Sequence, residues 1–326
     1  MGPLIDHASI ATREQASVDG AQGRAAVIVN PQAGRGGAEE FARRAAQVLA
    51  GRGMAVEVLC TTAPGHAVTI ARGLAAQTDL VVAVGGDGTA SEVANGLMDH
   101  QDRPVMAIVP AGSACDLALN LGVGSAEEGL AVLSNPSTRP MDVGRVDLVG
   151  PGGPTSRYFV LTTGTGYSPW VIRCATPRLK RVFGSRSYMV SGVLGAMRHR
   201  PPHMRWSADG EKGEGRAFNI VVANGEMEAG GARMSPGASL FDGRLWVGIW
   251  HGSSSLAGLW RMRLIYSGTH VGCPFITYRS AQSVSLESYP PVGVQVDGEV
   301  PGTTPARFTI VPGALRVIVG PGMAQG

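Results

Sequence analysis

Four short apolar runs alternate with amphipathic stretches between residues 24 and 110, and this alternation limits the fold more than any other feature of the chain. The runs predict strands at 25–30, 55–60, 79–84 and 105–110. The stretches between them predict helices at 38–50, 66–76 and 90–98. Strands that alternate with amphipathic helices indicate a parallel sheet with helices packed on its faces.

One apolar run leads directly into a loop of glycines, one aspartate and one threonine, residues 85–89 in VVAVGGDGTASEV. Glycines let backbone N–H groups converge on an anion, and the following helix adds the positive end of its dipole, so the loop predicts a phosphate cradle. A carboxylate beside phosphates is favourable chiefly when a divalent cation lies between them, which assigns Asp87 to a Mg²⁺–phosphate network. The structural alternative is a tight turn in which Asp87 caps the next helix.

The pattern changes near residue 145 to short alternating segments such as RYFVLTT and AFNIVVAN, separated by glycine and proline. Such segments predict an antiparallel β domain. The predicted organisation is therefore a flexible arm at 1–23, an α/β domain at 24–144 and a β-rich domain at 145–309. The tail from about residue 310 is a candidate to return to the first domain.

Composition narrows the class of protein. With 326 residues, 44% of them hydrophobic and 16% charged, the chain is long enough for two domains with apolar cores. Its apolar runs are shorter than the roughly 18 residues of a membrane span, and its first residues lack a signal-peptide pattern, which predicts a cytoplasmic protein. The net charge of +3 and the absence of a recognised binding module argue against nucleic acid as a partner.

Six segments resemble, in order and spacing, those of the diacylglycerol-kinase catalytic family, which includes soluble bacterial lipid kinases, sphingosine kinases and ceramide kinases. They are IVNPQAGRG (28–36), TTAPGHA (61–67), VAVGGDGTASEVANGL (82–97), PAGSACDLALNLG (110–122), NGEMEAGGARMSPGASLFDGRLWV (224–247) and VDGE (296–299). The resemblance implies a Rossmann-like nucleotide domain of the NAD-kinase and phosphofructokinase type, a C-terminal antiparallel β-sandwich, and ATP bound in the cleft between them.

Carried over by position, the resemblance implies an ATP site that works with Mg²⁺. Asp297 and Glu299 match the residues associated with catalysis, and one of them is the candidate general base. Asp87 is the third residue assigned to catalysis, through the Mg²⁺–phosphate network. Asp-Gly is also a strong hairpin signal, so a turn is the structural alternative for VDGE. The residues assigned to ATP binding are Asn30, Thr61, Gly85, Gly86, Asp87, Gly88, Thr89, Ser91, Glu92 and Ser113.

The resemblance also implies a second, structural Mg²⁺ at Asp242, with the backbone carbonyls of Ser239 and Arg244 as further ligands. A simple turn is the alternative for this segment. Ser91 and Cys115 stand where many family members carry side-chain amides. Because of this departure, the alternative that the protein is a non-catalytic relative, which binds nucleotide or lipid, stays open.

Basic and apolar residues interleave between 173 and 206. This composition predicts peripheral docking on the anionic inner face of a membrane. The alternative is a core-packed helix at 187–198 with a solvated basic rim. The residues assigned to the lipid face are Arg178, Lys180, Arg181, Arg186, Arg198 and Arg200.

These patterns together predict a kinase that transfers the γ-phosphoryl group of ATP to the hydroxyl of a membrane lipid. The acceptor is diacylglycerol or a sphingoid lipid such as ceramide or sphingosine. An NAD kinase, which shares the GGDG loop, and the non-catalytic binding relative are the alternatives. The oligomeric state stays open, with a homodimer as one alternative.

Overall fold

The computed structural model describes residues 23–74, 78–174, 199–252 and 254–323. The predicted arm therefore lies outside the described residues, apart from Gly23. In chain order the helices and strands are β1 (Arg24–Val29), α1 (Ala38–Gly51), β2 (Ala55–Cys60), α2 (His66–Leu74), β3 (Leu80–Gly85), α3 (Asp87–Leu97), β4 (Val105–Pro110), α4 (Asp116–Asn120), α5 (Ala126–Ser134), β5 (Ser137–Gly150), β6 (Gly153–Phe159), β7 (Thr162–Gly166), α6 (Tyr167–Cys174), β8 (His203–Ala208), β9 (Glu211–Ala223), β10 (Met227–Glu228), β11 (Ala232–Arg233), β12 (Leu245–His251), α7 (Ser255–Met262), β13 (Ile276–Ala281), β14 (Ser283–Ser288), β15 (Gly293–Val296) and β16 (Glu299–Val319).

The chain divides into two compact units. The first contains the described residues up to Gly112, together with Val123–Arg139 and the chain from Val317. The second contains Ser113–Gly122 and Pro140–Arg316. The sequence-based range 24–144 assigns Ser113–Gly122 to the first domain, whereas this segment packs with the second unit. The end of the chain returns to the first unit, where Val317 pairs in parallel with Met106.

The first unit contains a parallel sheet in the order β4-β3-β1-β2. In its register Ile28 of β1 lies beside Leu59 of β2 and Ala83 of β3. All six residues of β3 are buried, because parallel strands carry helices on both faces and read as continuous apolar runs. The same continuity is what made these strands detectable in the sequence.

Helix α3 begins earlier than the sequence pattern predicts. The predicted start was Ala90, but α3 runs from Asp87 to Leu97 with Gly86 in extended conformation at the N-cap position. Glycine and threonine have low helix propensity, so their presence in the first turn concealed the helix start. The correction places Asp87 in the first turn of the helix.

The second unit is built from antiparallel pairs, and its two longest strands each pair with strands on both sides. The pairing runs β16-β14-β8-β9-β7-β15 and returns to β16, which closes these six strands into a ring. Closure leaves fewer open strand edges. The core against this ring includes Phe159, Met204 and Phe308, each fully buried.

None of the described helices has both the length and the hydropathy that a membrane span requires.

Gly96 sets the separation of α2 and α3. A Cβ at this position would lie 2.5 Å from the Val68 carbonyl oxygen and 2.7 Å from Ala71 Cβ. We predict that Gly96→Ala lowers the free energy of unfolding by about 1–3 kcal/mol, because the helices must move apart. Gly73→Ala in α2 is the matched control: nothing lies within 4 Å of its Cβ position, and the change is expected to stabilise by about 0.5–1 kcal/mol. Urea unfolding measures both, and a Gly96→Ala protein as stable as wild type would contradict the close packing.

Candidate functional site

The carboxyl ends of the parallel strands in the first unit bring several predicted residues to one edge of the sheet. Asn30 N–H bonds the Val84 carbonyl at 3.1 Å, and Thr61 N–H bonds the Val29 carbonyl at 2.8 Å. Ala111 N–H bonds the Gly85 carbonyl at 2.8 Å. The loops that follow β1, β2, β3 and β4 are therefore hydrogen-bonded at a common edge, where open α/β sheets bind ligands.

Two glycines permit these loops to approach closely. A Cβ at Gly85 would lie 2.5 Å from Thr89 Oγ1, inside the first turn of α3. Gly34 has φ +59° and a Cβ there would lie 2.4 Å from the Ala111 carbonyl oxygen. At both positions any side chain would displace its neighbours, and at Gly34 the positive φ also favours glycine.

The first turn of α3 presents its N-terminal end at the same edge. Ala90 N–H makes a helical bond to the Gly86 carbonyl at 3.1 Å, so the N–H groups of Asp87, Gly88 and Thr89 precede that bond in the chain. The N-cap residue, Gly86, has no side chain with which to cap the helix. Such a helix start, carrying partial positive charge, suits an anion. Asp87 is half-buried in this turn, and Ser91 and Glu92 follow in the next.

Glu92 fixes the loop that precedes α2. Its Oε1 accepts the Gly65 N–H at 2.8 Å and its Oε2 accepts the Ala67 N–H at 3.1 Å. Both oxygens of this predicted ATP-binding residue thus hold the start of α2. Asn30 likewise uses its side chain locally, accepting the Gln32 N–H at 3.0 Å.

The VDGE motif in the second unit forms a two-residue hairpin. Val296 pairs with Glu299, and the residues between them, Asp297 and Gly298, have φ values of 42° and 86°. Two positive φ values at the central positions define the type I′ geometry for which Asp-Gly is preferred. The turn that stood as the structural alternative is therefore present.

Asp297 is tied by its carboxylate to a segment far away in sequence. Its Oδ2 accepts the Val160 N–H at 2.8 Å, and its Oδ1 accepts the N–H groups of Leu161 at 3.0 Å and Thr162 at 3.1 Å. Its own N–H bonds the Thr162 carbonyl at 2.9 Å. These four bonds fix the hairpin against residues 160–162. Glu299, two residues later, begins β16 and is exposed.

A polar network beside this hairpin contains residues that the sequence analysis did not single out. Glu228 Oε1 accepts from the hydroxyl of Thr162 at 2.5 Å and from the amide of Gln295 at 3.3 Å. Asn224, fully buried, donates to the carbonyls of Asp142 and Val160. Its Oδ1 has no hydrogen-bond partner within the described residues. Glu228 and Asn224 both lie in the NGEMEAGG segment, so the segment was noticed but not its individual roles.

Two further residues of the PAGSACDLALNLG segment hold the turn after Asn224. Asp116 is 2% exposed and accepts the N–H groups of Gly230 at 2.9 Å and Gly231 at 2.6 Å. Asn120 accepts the Glu226 N–H at 2.9 Å. The sequence signal for Asp116 is its position in the PAGSACDLALNLG segment, which resembles the family. Ser113, predicted for ATP binding, is exposed in the same segment of the second unit.

The segment predicted to hold a structural metal forms a hydrogen-bonded turn. Asp242 Oδ1 accepts the Arg244 N–H at 2.9 Å and its Oδ2 accepts the Trp246 indole N–H at 3.0 Å. Ser239 Oγ accepts the Phe241 N–H at 3.3 Å. These bonds match the turn alternative. Across the described ranges no three His, Cys, Asp or Glu side chains form a group that could hold a metal ion, and the metal assignment stays a prediction.

The predicted lipid face is described at one position. Arg200 is exposed. The other residues of that face, and the alternative helix at 187–198, lie outside the described residues: Arg178, Lys180, Arg181, Arg186 and Arg198.

Comparison with known proteins identifies both parts of the chain. Residues 24–146 match the family model described as diacylglycerol kinase catalytic domain. Residues 163–319 match the model described as YegS C-terminal NAD kinase beta sandwich-like domain. The mixed α/β architecture with a β-sandwich-like C-terminal domain is thereby confirmed.

Relatives and solved structures agree with this match. A diacylglycerol kinase of Staphylococcus saprophyticus is 30% identical over 292 residues, which cover 87% of this chain and 92% of the relative. One of Bacillus subtilis is 28% identical over 303 residues, 91% of this chain and 96% of the relative. A crystal structure of a diacylglycerol kinase from Bacillus anthracis has the same fold, with a TM-score of 0.68 at 22% identity over 92% of this chain and 97% of that one. The chain therefore belongs to the diacylglycerol kinase catalytic family and is a lipid kinase.

Proposed function

We propose that the protein transfers the γ-phosphoryl group of ATP, with Mg²⁺, to the hydroxyl of diacylglycerol. The observation that carries this proposal is the glycine loop 85–89. In this loop Gly85 packs closely against Thr89, and Asp87 lies in the first turn of α3. Diacylglycerol is preferred over a sphingoid lipid because the named relatives are diacylglycerol kinases. The family match also weighs against the two alternatives, an NAD kinase and a non-catalytic relative.

The first unit supplies the groups for nucleotide binding in this proposal. The N–H groups at the start of α3 bind phosphate oxygens, and the glycines let those oxygens come close to the backbone. Such an arrangement matches a Rossmann-like nucleotide domain of the NAD-kinase and phosphofructokinase type. Ser91 offers a hydroxyl where many relatives have an amide, which changes a side-chain contact but leaves the backbone donors in place.

Asp87 is the residue that would hold Mg²⁺. One carboxylate suffices there, because Mg²⁺ in phosphoryl-transfer sites takes most of its ligands from phosphate oxygens and water. The ion, when bound, neutralises charge on the transferring phosphoryl group. Asp87 orients that arrangement from the helix start.

The two carboxylates of the VDGE hairpin have different roles in this proposal, one in positioning and one in proton transfer. Asp297 accepts three backbone N–H bonds, so both oxygens of its carboxylate are already engaged in holding the hairpin. Glu299 is exposed and begins the strand after the turn. These contacts favour Glu299 as the group that accepts the proton of the lipid hydroxyl, with Asp297 as a positioning residue that fixes the hairpin.

The direct test is transfer of labelled γ-phosphate from ATP, with Mg²⁺, to diacylglycerol, ceramide, sphingosine and monoacylglycerol in mixed micelles, with NAD as a control acceptor. Label on diacylglycerol supports the proposal. Label on a sphingoid lipid alone would show that this lipid, and not diacylglycerol, is the substrate. Label on NAD alone would show that the protein is an NAD kinase. ATP binding without transfer to any acceptor would favour the non-catalytic alternative.

Asp87→Asn is expected to lower kcat about 100-fold or more, the scale on which loss of one electrostatic group acts, and to raise the Mg²⁺ concentration needed for half-maximal rate. Asp99→Asn is the matched control, since Asp99 is an exposed acid beyond the other end of α3 and pairs with Arg72. The steady-state rate against Mg²⁺ measures both. An Asp87→Asn enzyme with wild-type kcat and Mg²⁺ dependence would exclude the assignment.

The two hairpin acids are expected to behave differently. Glu299→Gln should lower kcat and remove the acid limb of the kcat–pH profile without changing the melting temperature, because its carboxylate forms no hydrogen bond or salt bridge with the residues that the structure describes. Asp297→Asn should lower both kcat and the melting temperature, since an amide nitrogen would face backbone donors. The acid limb should persist in Asp297→Asn. If instead it disappears there and persists in Glu299→Gln, Asp297 is the base.

A further inference from the structure

Helix α7 in the second unit carries apolar residues both on an inward side and on an exposed side. Its inward side contains Ser255, Gly258 and Leu259, and a Cβ at Gly258 would lie 2.4 Å from the ring of Phe218. This contact fixes which side faces the core. The other side carries Leu256, one helical turn before Trp260, and both point away from the core.

The outward side is strongly exposed. Leu256 is 62% exposed and Trp260 61%, and Tyr266, shortly after the helix, is 69% exposed. The guanidinium of Arg263 lies 4.0 Å from the centroid of the Trp260 ring. A surface helix normally turns polar residues to water, so large apolar groups exposed on this helix and just after it indicate that another phase or molecule covers them. We call Leu256, Trp260, Arg263 and Tyr266 the α7 surface.

The stretch of sequence that contains the α7 surface carries only positive formal charges. No Asp or Glu occurs in the sequence between Asp242 and Glu287, a stretch that includes Arg261 and Arg263. Arg261 lies 3.9 Å over the ring of Phe275. Within the part of the chain that the structure describes, neither arginine forms a salt bridge. A partner for this surface should therefore be both apolar and anionic.

We propose that the α7 surface inserts into the interface of an anionic lipid bilayer. Trp and Tyr have an apolar body and a polar tip, which suits the boundary between head groups and acyl chains, and arginine beside them attracts anionic lipid. The inference rests on the proposed function, because an enzyme acting on a membrane lipid must reach it at that boundary. A second copy of this chain fits less well, since it would bring the same positive charge against itself.

Trp260 makes the proposal directly measurable. The chain has five tryptophans, and of these Trp170, Trp206, Trp246 and Trp250 are buried or half-buried while Trp260 is exposed. Adding vesicles of phosphatidylglycerol and phosphatidylcholine should shift tryptophan emission to the blue. Trp260→Phe keeps an apolar ring, so it should retain vesicle binding and lose the shift.

Vesicle cosedimentation separates the apolar and charged contributions. Trp260→Gln should weaken binding about tenfold at every salt concentration, because apolar burial is lost. Arg263→Gln should weaken binding to anionic vesicles about fivefold at low salt and much less at high salt. Tyr289→Ser and Arg157→Gln are the matched controls, an aromatic residue 93% exposed and an exposed arginine that lie outside the α7 surface. Neither should change binding.

Activity on two forms of diacylglycerol separates failure of this inference from failure of the proposed function. Trp260→Gln should lose activity on long-chain diacylglycerol in vesicles and keep wild-type activity on short-chain diacylglycerol dissolved in water. A wild-type protein that binds vesicles through Trp260 but phosphorylates neither form would overturn the function and leave the surface assignment standing.

Two results would overturn the inference itself. One is a Trp260→Gln protein that binds anionic vesicles as wild type does, with no change in Trp260 emission in the wild type. The other is analytical ultracentrifugation showing that Trp260→Gln converts a dimer to a monomer while vesicle binding is unchanged, which would make the α7 surface a contact between two copies.

Discussion

The edge of the first unit at which we propose that phosphate binds depends on backbone segments that approach more closely than any Cβ would permit. Gly34 lies against the carbonyl of Ala111, and Gly85 lies against Thr89 at the start of α3. Because the proposed cradle is made from backbone groups, phosphate binding there would not require a particular side chain at Ser91. The replacement of an amide at this position would change one side-chain contact and leave the backbone donors in place.

The parallel strands were predictable because burial on both faces leaves a continuous apolar run, as in β3. The start of α3 was not, since glycine and threonine in its first turn are poor helix formers and only the backbone geometry reveals that the helix already includes Asp87. Gly88, one of the residues that conceal the helix, also leaves open space beside the first turn. Sequence propensity therefore fails at the proposed phosphate site for a physical reason.

The VDGE motif illustrates a different limit. Asp-Gly predicted a hairpin locally, and the family resemblance predicted catalysis, and the two were weighed as alternatives. In the structure they are compatible: the turn exists, and its aspartate is fixed by N–H groups of residues 160–162, more than 130 positions earlier. No local pattern encodes such a contact. Asn224 and Glu228 were missed for the same reason, because their partners are distant in sequence.

Helix α7 shows what periodicity alone leaves undetermined. Apolar residues at helical spacing indicate a buried face, but α7 carries two such faces, and a sequence pattern does not say which one meets the core. The close contact of Gly258 with Phe218 decides this, because only a side without a side chain can approach the ring so nearly. Leu256 and Trp260 are then left outward beside Arg261 and Arg263, which form no salt bridge with the described residues. For a lipid kinase that acts at a membrane surface, as we propose, an apolar and basic face of this kind would place the protein where its substrate is. A bilayer therefore explains the exposure of these apolar residues better than no occupant does.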